Sequence, residues 1–98
     1  MPKKQKVKAG HVRASHILVP KLSLAQEIKK QLLSGASFNK LAEKYSECPS
    51  KKKGGDLGSF KRGEMVKEFE QAVYSMKIGE ISDPVKTQFG YHIIKRTG

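Results

Sequence analysis

One cysteine, Cys48, stands in a chain of 98 residues. No disulfide can form within the chain, so packing must hold the fold. A reducing, cytoplasmic setting is the matching expectation. No stretch reaches the roughly 18–20 apolar residues of a membrane-spanning helix. Apolar residues make up 37%, enough for a single small core. Acidic residues are scarce: 9 Asp and Glu stand against 20 Lys and Arg, a net charge of +11. Such an excess favours acidic partners, whether nucleic acid, an anionic membrane surface or acidic proteins. A solvated lysine-rich surface accounts for it equally well. No aromatic residue interleaves with Lys51, Lys52 and Lys53, or with Lys3, Lys4, Lys6 and Lys8, so stacking on single-stranded nucleic acid lacks support. His11 and His16 lie five apart and face opposite sides of a strand, and no Cys/His cluster has zinc spacing. Gly54-Gly55 is not followed by the Gly-Lys-Ser/Thr of a phosphate cradle. Neither a metal nor a cofactor is expected. The basic start is not followed by an apolar segment, unlike a secretory signal.

What is present is periodic. Residues 1–9 read as a flexible basic arm and residues 10–98 as one domain. Val12, Ala14, His16 and Leu18 alternate with Arg13, Ser15 and Ile17, which predicts a strand ending at Pro20. Ser23 and Gln26 have capping-box spacing. They open a helix with an apolar stripe of Leu24, Ala25, Ile28 and Leu32, stopped by Gly35. Ser37 opens a second helix, with Phe38, Leu41, Ala42 and Tyr45 at helical spacing. A loop over 46–55 and a short strand over 56–60 follow. Val66, Phe69, Val73 and Met76 predict a third helix, closed by Gly79. Residues 84–87 and 91–95 read as two strands about Gly90. The order predicts an α+β domain, with helices packed on a small, mostly antiparallel sheet.

Four segments carry a resemblance. They are Ala14-Ser15-His16-Ile17-Leu18-Val19; Tyr45-Ser46-Glu47-Cys48-Pro49-Ser50; Gly54-Gly55-Asp56-Leu57-Gly58-Ser59-Phe60 with Arg62-Gly63-Glu64-Met65 and Phe69-Glu70; and Pro84-Val85 with Thr87-Gln88-Phe89-Gly90-Tyr91-His92-Ile93-Ile94. Each alone is weak. Together, and in this order, they resemble the parvulin family of peptidyl-prolyl cis/trans isomerases. The resemblance implies a four-stranded sheet surrounded by helices and a proline-binding cleft on the sheet. It also implies a monomeric, single-domain form, without a WW-type recognition domain, that assists protein folding at X–Pro bonds. By position, His16 and His92 are similar to the family's paired histidines, and Thr87 to the hydroxyl that holds them. Cys48 falls where the family carries Cys or Asp, and Leu57, Met65, Phe69 and Phe89 fall in its proline pocket.

Only Pro20, Lys21 and Leu22 join the first strand to the first helix. Phosphoserine- or phosphothreonine-directed members have a longer, arginine-rich loop there. Lys21 cannot replace a bidentate arginine cluster, so phosphorylation is not expected to be required. Lys21 and Lys51–Lys53 lead instead to the expectation of an acidic residue before the proline.

Rotation about an amide faces a barrier of about 18–20 kcal/mol because the C–N bond has partial double-bond character. The two X–Pro isomers differ by only about 0.5–1 kcal/mol, so the difficulty is kinetic. A catalyst must hold the ring and favour the twisted state. Leu57, Met65, Phe69 and Phe89 suit an apolar cup, and Cys48 with the His16–His92 pair would tune the field around the carbonyl oxygen. Blander roles fit the same residues. The histidines with Thr87 would also serve as a hydrogen-bond network fixing the sheet. Phe69, Leu57 and Phe89 would also serve as core, and Cys48 as a small buried hydrophobe. A non-catalytic peptide-binding module is the competing reading. An electrostatic binder of nucleic acid or anionic membrane, using Lys29, Lys30, Lys40 and Lys44 as one basic face, is another.

Overall fold

A computed structural model describes residues 9–98. Apart from Ala9, the predicted basic arm lies outside the described residues. The elements run β1 (His11–Val19), α1 (Leu22–Leu33), α2 (Phe38–Tyr45), a 3-10 turn (Pro49–Lys53), β2 (Asp56–Lys61), α3 (Lys67–Ser75), β3 (Val85–Thr87) and β4 (Gly90–Arg96). The strands form one 4-stranded sheet in the order β2-β1-β4-β3, with every pairing antiparallel. The predicted α+β architecture is present, and the mostly antiparallel sheet is wholly so among the described residues.

Both faces of the sheet are covered. Ile17 and Val19 of β1 and Ile93 of β4 pack under α1 and α2, against Ala25, Ile28, Leu32, Phe38, Leu41 and Ala42. Val12 and Ala14 of β1 and Ile94 of β4 pack on the other face, with Phe60 of β2 and Phe69, Val73 and Met76 of α3. An antiparallel sheet commonly leaves one face to water. Here the polar alternation predicted for β1 fails at its centre, where Ala14, Ser15, His16 and Ile17 are all buried.

Local signals set the helix ends, with one correction. The Ser37 side chain accepts from the Lys40 amide at 3.3 Å, as an N-cap should. α1 ends in a Schellman closure, the Ala36 amide donating to the Gln31 carbonyl and the Gly35 amide to the Leu32 carbonyl, both at 3.0 Å. The capping box predicted from Ser23 and Gln26 does not form. α1 starts at Leu22 behind Lys21, with no side-chain cap, so the chain enters the helix two residues earlier, directly after Pro20 and the end of β1. The loop predicted over 46–55 contains the 3-10 turn Pro49–Lys53, with Pro at its first turn.

The basic face expected from four lysines is also incomplete. Lys29 is spent internally: its ammonium donates to the Ile81 and Ser82 carbonyls, each at 3.0 Å, and pairs with Asp83 at 3.4 Å. It ties α1 to the segment before β3.

Candidate active site

Strand register builds the polar centre of the site. His16 stands opposite Ile94 and Leu18 opposite His92 across β1 and β4. His16 and His92 are therefore diagonal neighbours on one face, within reach of each other's side chains. Across β3 and β4, Thr87 stands opposite Gly90, so Thr87 is likewise diagonal to His92. A chain of side chains crosses the sheet as a result. Thr87 Oγ1 lies 2.7 Å from His92 Nε2, and His92 Nδ1 lies 2.8 Å from His16 Nδ1.

The Phe89 amide donates to Thr87 Oγ1 at 3.1 Å. Protons assigned to leave the fewest unpaired polar atoms then run from the Thr87 hydroxyl to His92 Nε2, and from His92 Nδ1–H to His16 Nδ1. His16 Nε2 carries the remaining proton and has no partner among the described residues. Burial pushes the His16 imidazole down from 6.5 to about 4, with neighbouring His92 acting in the same direction. Burial alone lowers His92 to about 4. Both rings are neutral at pH 7. Charging either would cost desolvation, and charging both would add repulsion.

Phe69 backs the pair, at 5.5 Å from the His16 ring and 5.3 Å from the His92 ring, edge to face with each. It is only 2% exposed. The sequence left open whether Phe69 is core or pocket, and it is both: the α3 end of its stripe reaches the cleft.

A cleft of about 500 Å³ opens above these rings, its wall mostly apolar. His16, His92, Phe69, Cys48, Leu57, Met65 and Phe89 all line it. Thr87 does not; it lies buried behind His92. The arrangement thus brings together seven of the eight expected site residues in one wall, with the eighth holding His92 from behind.

Leu57 reaches the wall through an irregularity. Between Arg13 and Ser15 of β1, the pairing with β2 slips by one residue, and Gly58 takes a φ of 74° that only glycine adopts readily. The Asp56 carboxylate accepts the Gly58 amide at 2.9 Å. The Arg13 guanidinium grips it from β1 and holds it below the usual carboxylate range. Gly55 makes a closer approach. Its carbonyl accepts the His16 amide at 2.9 Å, and a Cβ there would collide with the His16 carbonyl oxygen.

The residues matched to one family model, a rotamase of the PPIC-type PPIase domain, are 20–98. The chain belongs to the parvulin family. Over 87 residues this parvulin is 59% identical to the foldase protein PrsA of Geobacillus kaustophilus, covering 88% of this chain and 31% of the relative. It therefore spans about a third of that relative's length. The crystal structure of the peptidylprolyl isomerase PrsA from Bacillus anthracis superposes with a TM-score of 0.89 at 57% identity, over 90% of this chain and 41% of that one. The solution structure of NmPin, the parvulin of Nitrosopumilus maritimus, superposes at 0.82 with 48% identity, over 94% of this chain and 100% of that one.

Several lining residues of this parvulin escape the sequence reading: Leu18, Glu47, Pro49, Glu64 and Val66. Leu18 had a signal, since it shares a strand face with His16. Ser46 was also missed. It is 1% exposed, and its hydroxyl accepts the Leu18 amide at 3.0 Å and the Cys48 amide at 3.3 Å, which fixes Cys48 beside β1. The lysines behind the expectation of an acidic residue before the proline, Lys21, Lys51, Lys52 and Lys53, lie away from the cleft wall. Apart from the two neutral histidines, its ionisable carboxylates, Glu47 and Glu64, are the charged groups that do.

Proposed function

We propose that this chain catalyses cis/trans isomerisation of X–Pro bonds in polypeptides and so assists folding. The observation that carries the reading is the union of an apolar cup with a neutral histidine pair at its floor, in a family of isomerases. Leu57, Met65, Phe69 and Phe89 hold the prolyl ring and exclude water. A drier setting disfavours the polar planar amide relative to the twisted one. The unpaired His16 Nε2–H and the Cys48 thiol supply oriented dipoles near the rotating carbonyl without adding charge. No bond is broken, so Cys48 acts as a polar wall and not as a nucleophile.

Exchange NMR on a short Ala–Pro peptide tests this. Protein at about one-hundredth of the peptide concentration should raise the exchange rate at least tenfold; with at most about one peptide in a hundred bound, that requires about a thousandfold acceleration in the bound state, about 4 kcal/mol off the barrier. Cys48→Asp should keep most of the turnover; loss of all turnover in a folded Cys48→Asp protein would point to covalent chemistry instead. No acceleration in a folded wild-type sample would favour a second reading, a peptide-binding module. Phe89, 59% exposed at the cleft rim, supports that reading by offering an apolar contact to an extended chain.

The finer expectations belong to the same proposal. Unphosphorylated substrates are supported by the absence of any Lys or Arg from the cleft wall, where a phosphate would face Glu47 and Glu64. The protein is proposed to act as a monomer in the cytoplasm, where a reducing environment suits the free Cys48 thiol. Lys30, Lys40, Lys44, Lys52 and Lys53 are exposed and would lend weak electrostatic contact with nucleic acid or an anionic membrane. Such contact would weaken steeply with salt.

A further inference from the structure

The chain holds 20 Lys and Arg against 9 Asp and Glu, yet no Lys or Arg lines the cleft, whose charged lining groups are two glutamates. Asp56, Asp83 and Glu70 each pair with a cation. Glu47 and Glu64 both line the cleft, both are exposed, and neither forms an ion pair among the described residues. They come from different connections, Glu47 between α2 and the 3-10 turn and Glu64 between β2 and α3.

Each is held by its backbone or its own turn. The Glu47 amide donates to the Leu18 carbonyl at 2.8 Å. One Glu64 carboxylate oxygen accepts the Lys61 amide at 2.7 Å, leaving the other to a ligand. The same cleft contains His16, 5% exposed, whose Nε2 has no partner among the described residues. A buried polar atom is ordinarily hydrogen-bonded, so this one is available to a polar group of a bound chain.

We propose that this cleft selects X–Pro segments carrying a cationic side chain, arginine or lysine, on a residue flanking the proline, with Glu47 and Glu64 as the groups that recognise it. The proposal rests on the isomerase reading for turnover and on the cleft geometry alone for binding. The net positive charge does not override it. At about 0.15 M salt the Debye length is about 8 Å, so outlying lysines are largely screened while a direct carboxylate contact is not. Arginine should be preferred to lysine, since its planar fork can engage carboxylates with paired hydrogen bonds.

The test compares Arg–Pro, Lys–Pro, Ala–Pro and Glu–Pro peptides, and the matching Pro–X set, at about 0.15 M salt. Both kcat/KM by exchange NMR and Kd by chemical-shift titration are measured. On one of the two flanks, Arg should exceed Glu by about threefold to tenfold in both readouts, the scale of one or two exposed ion pairs. In the double variant Glu47→Gln, Glu64→Gln that ratio should fall towards one. Gln keeps a carbonyl to accept the Lys61 amide, so the turn survives. Basic peptides that bind more tightly without being turned over would sink the isomerase reading and leave this one standing. Turnover of all peptides with no basic preference, or a preference unchanged in the double variant, would overturn the proposal and leave the isomerase intact.

Discussion

His16 and His92 illustrate how a buried polar pair is kept. Each imidazole gives up water, and the diagonal placement on β1 and β4 returns a hydrogen bond at 2.8 Å. The pair is stable only while uncharged, which gives a pH dependence of definite sign. Both groups have folded-state values near 4, depressed from 6.5, so between those values the unfolded chain binds more protons than the folded one. Stability should be complete above about pH 6.5 and fall as pH drops towards about 4. Asp56, also depressed, should add its own loss only below its ordinary value of 3.8. Thermal melts between about pH 7.5 and 3 would show this as two successive slopes. A melting temperature flat through the histidine window would mean that an imidazole is solvated or charged in the folded protein. Ser46 shows the same economy without charge: one hydroxyl satisfies two backbone amides and sets where Cys48 stands.

Among the elements, β2 is the one whose placement depends most on glycine. The approach of residue 55 to β1 brings its carbonyl onto the His16 amide, and its φ of 90° is in the region that favours glycine. Gly55→Ala combines a steric clash against backbone with conformational strain. It should destabilise the fold by on the order of 3 kcal/mol, read as a lower urea midpoint with an unchanged m-value. Its surviving folded fraction should show shifted His16 resonances. A neutral Gly55→Ala would mean that β2 can retreat from β1, and with it the Leu57 wall of the cleft. The β3–β4 hairpin has a parallel role, since the Thr87 hydroxyl links the Phe89 backbone amide to the buried His92 ring.

For the molecule as a whole, charge opposes compactness. A net +11 on 98 residues repels itself in any folded form, and the ion pairs among the described residues join Arg13 to Asp56, Lys29 to Asp83 and Arg62 to Glu70. Raising sodium chloride from about 20 mM to about 0.5 M should therefore raise the melting temperature by several degrees, as screening removes repulsion faster than it weakens three pairs. A fall instead would show that those pairs outweigh the lysine repulsion. Despite this excess of positive charge, the charged lining groups of the cleft are the carboxylates of Glu47 and Glu64.

Periodicity and end signals alone determined the elements. The stripes of α1, α2 and α3 and the alternation of β1 are local patterns, and local backbone geometry turns them into helices and strands with small errors at the ends. The matched segments also placed His16, Cys48, Thr87, His92 and the apolar cup. What only the tertiary structure decided was who faces whom. Whether Phe69 serves core or cleft, whether Lys29 is surface or strut, and which charges look into the pocket depend on strand register and on loops distant in sequence. Lys51–Lys53 sit near Cys48 along the chain, yet the 3-10 turn places them off the wall, while Glu64 arrives there from beyond β2. Neighbourhood along the chain does not tell which charges line the cleft, because an electrostatic contact is made through space, over a few ångströms, between side chains that the fold alone brings together.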